Sequence, residues 1–353
     1  MKKVDFIIVG QGLAGACLAL RLLNKGKTVW VMDQPQSNRC SKVAAGLFNP
    51  ITGMGIVKTW RAEEIFEELF EFFPKAEAQL KASFFYPMHL YRPFQTIEEQ
   101  NNWMAKTADK GQNKFVKAVY TSSAYPHIHN SYGGIEVNQS GYLDTNAFLS
   151  ALTRRLLSLD SYSEENFRQD LLSIRDNTVE YKGVEARKII FCTGVASLSP
   201  YFDWLPIRQL KGETLNISFS ERPDVIYNKG VYVVPTSESA VYKAGATYSL
   251  SDLSPACTPE GRQELADKLS ALLKDPFQIL KQEWGIRPTT VDRRPILGPH
   301  PEHSNLVIFN GLGTKGVSLA PYFSNQLANW LTGEGEIHKE VNINRFKPLY
   351  SRS

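Results

Sequence analysis

Three groups of residues in this 353-residue chain have types and spacings suited to chemistry. The first is Gly10-Gln-Gly12-Leu-Ala-Gly15, set between two apolar runs, residues 4–9 and 13–23. Gly10 permits a tight turn, Gly12 lets backbone approach a pyrophosphate, and Gly15 lets helix and strand pack closely. A helix N-terminus at this place presents N–H groups and positive dipole to phosphate. Asp33 follows Gly15 by 18 residues at the end of the next apolar run, where a carboxylate can accept the hydroxyls of an adenosine ribose. Together these residues predict a dinucleotide site; the plain alternative is a Gly-rich turn in an ordinary α/β domain. The negative charge at Asp33 disfavours a 2′-phosphate, so NADP fits least well. The second group is the small-residue segment 41–47, and the third is the Gly-rich turn 311–316 before the last apolar helical run.

The elements that position these residues follow from periodicity. Residues 4–9 and 28–32 read as buried strands around a helix at 13–23, stopped by Asn24-Lys25-Gly26. Unbroken apolar strands about a helix indicate a parallel sheet covered on both faces. Residues 59–73 place Ile65, Phe66, Leu69, Phe70 and Phe73 on one helical face. Residues 83–137 are aromatic and Pro-rich with strand-like pieces such as 89–92. A helix capped by Asp144 is predicted to about Leu157, then a hairpin around Asp176-Asn177 and a buried strand at 188–192 ending in Thr193-Gly194. Residues 207–250 alternate as antiparallel strands, and Pro259 opens a helix to about Leu273. A last strand at 306–310 and a helix to about Leu331 close the pattern.

Nucleotide-domain texture therefore alternates with sheet texture. The predicted fold is α/β: a Rossmann-like FAD-binding domain (1–82, 138–203 and 288–353) interleaved with a mainly antiparallel-sheet substrate-binding domain (83–137 and 204–287). The N-terminal position of the fingerprint, the strand ending at Thr193-Gly194 and the C-terminal return of nucleotide-domain texture favour FAD over NAD.

Composition narrows the classes. With 42% hydrophobic and 22% charged residues, wholesale disorder is excluded. A net charge of +4 argues against a general nucleic-acid sheath. Cys17, Cys40, Cys192 and Cys257 form no C-x-x-C pair, so structural zinc and a disulfide scaffold are not expected, and a reducing cytoplasmic setting is. Met1-Lys2-Lys3 before an apolar stretch resembles a secretory signal, but Asp5 and the three glycines break it. No run of eighteen apolar residues predicts a membrane span. His127 and His129 would share one side of a strand, yet lack further metal-ligand neighbours in the sequence.

At this point the residues resemble a family, the D-amino-acid oxidase superfamily of FAD enzymes, in its glycine oxidase and sarcosine oxidase branch. The resemblance covers almost the whole chain. It rests on the fingerprint, on Ser41-Lys-Val-Ala-Ala-Gly-Leu47, on Gly285-Ile-Arg-Pro-Thr-Thr-Val-Asp-Arg-Arg-Pro-Ile-Leu-Gly298, and on Asn310-Gly-Leu-Gly-Thr-Lys-Gly-Val-Ser-Leu-Ala-Pro321. Weaker echoes are Gly141-Tyr-Leu-Asp-Thr145, Tyr232-Val-Val-Pro235 and Gly245-Ala-Thr-Tyr248.

The resemblance implies noncovalent FAD held by Gly10, Gly12, Leu13, Ala14, Gly15, Asp33, Gln34, Ser41, Ala45, Gly46, Leu47, Leu171, Thr193, Gly194, Gly313, Thr314, Lys315, Gly316 and Val317. Small residues at 44–46 suit backbone lying against the flavin ring. The turn at Gly313 and the following helix dipole would face the flavin N1–C2=O edge. Lys315 would add a full charge there, or else is a solvated surface lysine. Arg287 is implied to grip a substrate carboxylate as a planar fork, with Tyr232, 55 residues earlier, assisting. Thr314 and Lys315 stand where glycine oxidase closes its small pocket with Arg, which weakens glycine as the substrate. No Cys or His occupies the turn 311–316, and Cys40 is only roughly placed near the flavin, so a covalent flavin is not expected.

The implied reaction is oxidation of a small amine or amino acid. Hydride would pass from Cα to flavin N5, and the resulting imine would be hydrolysed, with oxygen or another oxidant as final acceptor. The runner-up is a tRNA-modifying enzyme, because Gly311-Leu-Gly313 and Gly245-Ala-Thr-Tyr248 also resemble the flavin domain that removes a carboxymethyl group from a wobble uridine. A flavin-binding protein without turnover is the third reading.

Overall fold

The computed structural model describes residues 1–34, 39–52, 57–107, 114–195 and 200–350. Strand Lys2–Val9 lies between Val29–Asp33 and Val184–Phe191, parallel to both. Leu306–Asn310 extends this sheet in parallel beyond Val184–Phe191, and Tyr162–Glu164 extends it beyond Val29–Asp33. Ile296–Pro299, Val179–Tyr181 and Leu172–Ile174 join antiparallel, so the hairpin predicted around Asp176-Asn177 is present.

Both faces of the first sheet are covered, which is why its strands read as unbroken apolar runs. Phe6 and Ile8 turn into a core shared with helices Leu13–Asn24 and Gly316–Thr332. Ile7 and Val9 turn the other way, into a core with Phe202, Leu205 and Ile343. Local capping follows the sequence. The Asp144 carboxylate accepts the Ala147 N–H at 2.9 Å, and the Thr258 hydroxyl accepts that of Gly261 at 3.0 Å.

The second sheet runs in the order Gln278–Thr290, Ile207–Ser218, Val241–Gly245, Tyr232–Pro235, Ile226–Asn228, Leu90–Pro93, Gly134–Val137, Val116–Tyr120. Its pairs are antiparallel except Ile226–Asn228 with Leu90–Pro93. One face packs on helix Pro259–Leu272 through Tyr91, Leu215, Val233, Ala244, Leu265 and Leu269. The opposite face turns toward the first sheet. A small sheet of Leu47–Phe48, Gly141–Leu143 and Phe85–Pro87 lies between them in the chain path. On this topology we propose the interleaved division into cofactor and substrate parts at the boundaries given above.

Three local expectations change. Arg287 belongs to a 13-residue strand, Gln278–Thr290, rather than a short one, because it pairs with Ile207–Ser218 from end to end apart from one bulge at Leu280. Helix Ile97–Thr107 interrupts the aromatic stretch; Thr96 Oγ1 accepts the Glu99 N–H at 3.1 Å to start it, and Trp103 is its buried anchor. His127 and His129 flank an isolated bridge at Ile128 instead of sharing a strand, and His127 Nδ1 lies 2.7 Å from Asp275 Oδ2. Among the described residues, no helix is long and apolar enough to cross a membrane, and no group of three or more His, Cys, Asp or Glu is placed to hold a metal ion.

Candidate active site

The carboxyl ends of the parallel strands open into a cavity of about 1400 Å³, beyond the roughly 300–1,000 Å³ of an ordinary small-molecule site. Its walls include Gly10, Asp33, Thr193 and Asn310, each at or just past a strand end, where ligands bind in open α/β sheets.

The end of this cavity beside the turn 10–15, expected to take the nucleotide, is built largely from backbone. A Cβ at Gly15 would meet Gly10 O at 1.9 Å, so helix Leu13–Asn24 reaches the first strand only through glycine. A Cβ at Gly12 would meet nothing closer than Ser41 Oγ at 3.4 Å, which leaves its backbone open to a ligand. Gly12 caps that helix without a side-chain bond; the Leu13 N–H reaches Ser41 Oγ at 3.3 Å. Gly46 has φ +69, and a Cβ there would stand 1.8 Å from Leu143 O, so the 44–47 segment passes the small sheet only as glycine. Leu13, Ala14, Gln34, Ala45, Leu47 and Gly194 line the same cavity.

Asp33 is 6% exposed and already has two protein donors. Its Oδ1 accepts the Gln11 N–H at 2.9 Å, and its Oδ2 accepts Arg39 Nη2 at 2.8 Å together with Nη1. A carboxylate oxygen accepts more than one hydrogen bond, so Asp33 retains acceptor capacity toward a ribose. Arg39 was missing from the sequence-based set, since nothing in its local pattern points at Asp33.

The second helix end is the turn Gly313–Lys315 leading into Gly316–Thr332. No acidic residue occupies the helix's first turn and no side chain caps it, so its positive end meets the cavity unneutralised. Gly313, Thr314, Gly316 and Val317 line the wall. Lys315 is not a solvated surface lysine. Its Nζ donates to Thr52 Oγ1 and Thr59 Oγ1, each at 3.2 Å, and burial, with Arg293 beside it, lowers its pKa below the ordinary lysine value. Leu171 falls outside this arrangement. It is 36% exposed at the end of the turn Gln169–Leu171, and Phe167 and Gln169 line the wall in that region.

The opposite end of the cavity, proposed below to take the substrate, is built from side chains on the second sheet. The Arg287 guanidinium lies over Gly212 of the neighbouring strand; a Cβ there would stand 2.2 Å from Nη1. Nη1 also donates to Thr247 O at 3.4 Å, and the Tyr248 ring stacks 5.1 Å from the guanidinium carbon. Among the described residues no carboxylate lies within ion-pair distance of Arg287. Tyr232 packs its hydroxyl over Gly245, its strand partner. Burial drives the Tyr232 phenol pKa upward, so the hydroxyl keeps its proton, with nearby Arg287 opposing in part. Cys40 lines this wall too, and burial raises its thiol while Arg287 lowers it. Sequence reasoning missed Gly212 and the stacking of Tyr248, because both roles exist only through pairing across strands.

The comparisons with known proteins bear on this cavity. A family model described as FAD dependent oxidoreductase (DAO) matches residues 5–330, nearly the whole chain. The chain belongs to the DAO family of FAD-dependent oxidoreductases. Relatives of the DAO chain include the tRNA 5-methylaminomethyl-2-thiouridine biosynthesis bifunctional protein MnmC of Marinobacter nauticus, 25% identical over 92% of this chain and 54% of that protein. Another is the bifunctional protein ThiO/ThiG of a Nostoc species, 26% identical over 92% of this chain and 52% of that protein. The chain thus spans about half the length of these curated relatives. Glycine oxidase from Geobacillus kaustophilus superposes with a TM-score of 0.78 at 18% identity, covering 98% of this chain and 99% of that one. Iminodiacetate oxidase from Chelativorans sp. BNC1 gives 0.77 at 18% identity, covering 96% and 98%. At such identities the likeness concerns the fold.

FAD is the cofactor of this family, and the residues present fit it. Thr193 Oγ1 is buried in the cavity wall without a hydrogen-bond partner among the described residues. The glycine cradle at 10–15 and the two helix N-termini open onto the same cavity.

Proposed function

We propose that this DAO-family oxidoreductase oxidises a small amine or amino acid that carries a carboxylate. The observation that supports this most is Arg287, a guanidinium in the cavity wall that has a backbone acceptor and an aromatic ring beside it, with no acidic partner among the described residues. A planar fork of N–H donors in that position binds a carboxylate through two parallel hydrogen bonds. Tyr232, kept protonated by burial, donates its hydroxyl to the same anion.

Gly10, Gly12, Thr193 and the turn at Gly313 would hold FAD noncovalently, with Asp33 toward the ribose and Lys315 near the flavin. When bound, FAD supplies the two-electron acceptor for the C–H bond beside the amine nitrogen. The protein then orients the substrate: Arg287 and Tyr232 fix the carboxylate, and the apolar parts of the wall exclude water. No histidine lines the cavity among the described residues, and no side chain is needed as base.

The test is an anaerobic visible spectrum of the purified protein against glycine, sarcosine, proline and D-amino acids. Loss of the oxidised-flavin absorbance with one of them supports the reading. A yellow protein that no amine bleaches contradicts it and favours flavin binding without turnover. Oxygen uptake against a quinone assay then separates the acceptors.

A second reading places the amine on a tRNA base. The MnmC alignment over 92% of the chain favours it, as do the cavity-lining cations Arg293 and Lys229. A salt-dependent tRNA shift would support it.

A further inference from the structure

The floor of the cavity is longer than a single carboxylate needs. Strand register lays out one row of residues across it: Gly245 pairs with Tyr232, and Tyr232 with Asn228. Tyr227 pairs with Tyr91, and both turn into the opposite core, so Asn228 and Arg92 turn together toward the cavity. Arg92 and Asn228 line it, and so does Lys229 in the turn that follows. The Arg287 guanidinium lies over Gly212 on Ile207–Ser218, and Arg92 lies on Leu90–Pro93, four places further along the sheet. At roughly 4.8 Å per strand the guanidinium over Gly212 stands about 19 Å from the Arg92 backbone, a distance that the reach of the Arg92 side chain shortens.

This far end is cationic. The Lys229 ammonium makes no hydrogen bond or ion pair among the described residues, and Glu99 is the acidic group that influences it. Arg92 Nη2 meets the same Glu99 at 3.5 Å, while Glu99 Oε2 accepts the Gln95 N–H at 2.7 Å. Glu99, already engaged by backbone, thus faces both Arg92 and Lys229. Burial lowers the pKa of both, because it takes their charge from water, with Glu99 opposing in each case.

We infer that the substrate carries a second anionic group, a carboxylate or a phosphate, remote from the carboxylate at Arg287, and that Arg92 and Lys229 bind it. The inference rests on the proposed carboxylate role of Arg287. Glycine and sarcosine would leave the far end unused, whereas an amino acid with a long acidic arm, or one attached to a phosphate, would span the floor.

The probes are straight-chain monocarboxylates, α,ω-dicarboxylates and ω-phosphonocarboxylates of increasing length, titrated into the flavin-loaded protein and followed by perturbation of the flavin spectrum. The expected result is an advantage of at least tenfold for the doubly anionic probes over monocarboxylates of equal length, present only above a threshold length. Arg92→Gln and Lys229→Gln should each shrink that ratio, and the double variant should bring it close to one. Preference for phosphonate over carboxylate identifies phosphate as the natural group; the reverse identifies an acidic side arm. Equal binding of singly and doubly anionic probes at every length overturns the inference and leaves the Arg287 reading intact. If no carboxylate binds, or if Arg287→Ala leaves monocarboxylate binding unchanged, the Arg287 reading fails and the inference fails with it.

Discussion

The two ends of the cavity are made by different means. The nucleotide end uses backbone: three glycines, two helix N-termini and a carboxylate at a strand end, most of it within the first 46 residues. The substrate end uses side chains brought together across an antiparallel sheet, with Arg287, Gly212, Tyr248, Tyr232 and Arg92 drawn from five strands or their connecting loops. On the proposed assignment the first would hold the pyrophosphate of FAD, which leaves little room for change. On the same proposal the second would take the substrate, so changes there should alter selectivity while sparing the fold.

That contrast predicts a ranking. The largest effect belongs to Gly15→Val. Its side chain would begin 1.9 Å from Gly10 O, in backbone that cannot yield, and the variant should lose more than about 4 kcal/mol of stability together with its flavin. Thermal unfolding and flavin content check this; a stable yellow variant would mean the helix does not pack as described. Next comes Asp33→Ala, which removes charge-assisted hydrogen bonds and should weaken FAD binding by ~1.5–3 kcal/mol while the protein still folds. Unchanged affinity in a flavin titration would show that Gln11 and Arg39 absorb the whole of its acceptor capacity.

Gly212→Ala sharpens the comparison because its clash is with the far end of a flexible side chain. The new methyl would displace the guanidinium it meets at 2.2 Å, so stability and flavin content should hold while KM for a carboxylate substrate rises about tenfold, ~1.4 kcal/mol. A fall in stability with unchanged KM would assign Arg287 a bracing role between strands. The smallest effect concerns Lys315. Its pKa in the folded protein is below the ordinary 10.5, so just below that pH the unfolded chain binds more protons than the folded one. Stability should therefore gain with rising pH in that window, and a comparison of wild type with Lys315→Met should show the gain only in the wild type. A parallel pH dependence in both would place the titration elsewhere.

The same contrast explains what was legible beforehand. The first strand–helix–strand unit, the fingerprint, Asp33 and the cap at Asp144 each depend on residues close in sequence, and local spacing exposes them. Arg287 and Tyr232 were found through resemblance to a family rather than through pattern. Gly212 gave no signal, because its function is to leave space for a residue 75 positions away on the paired strand. Arg39 was equally silent: its bond to Asp33 depends on the return of the chain after the second strand. Leu171 was placed at the cofactor by resemblance alone, and the wall there is formed by Phe167 and Gln169 instead.

The central claim is that Arg287 holds a substrate carboxylate, and one double comparison tests it most directly. An amine that bleaches the flavin and its uncharged carboxamide analogue are compared in wild type, Arg287→Lys and Arg287→Ala, with flavin content confirmed in each. Arg287→Ala should lose ~2–5 kcal/mol in kcat/KM for the acid and little for the amide, because the truncated site leaves the anion without its partner. Arg287→Lys should recover part of the loss, since a point charge does not reproduce the planar fork. Equal losses for acid and amide with flavin intact would contradict the claim.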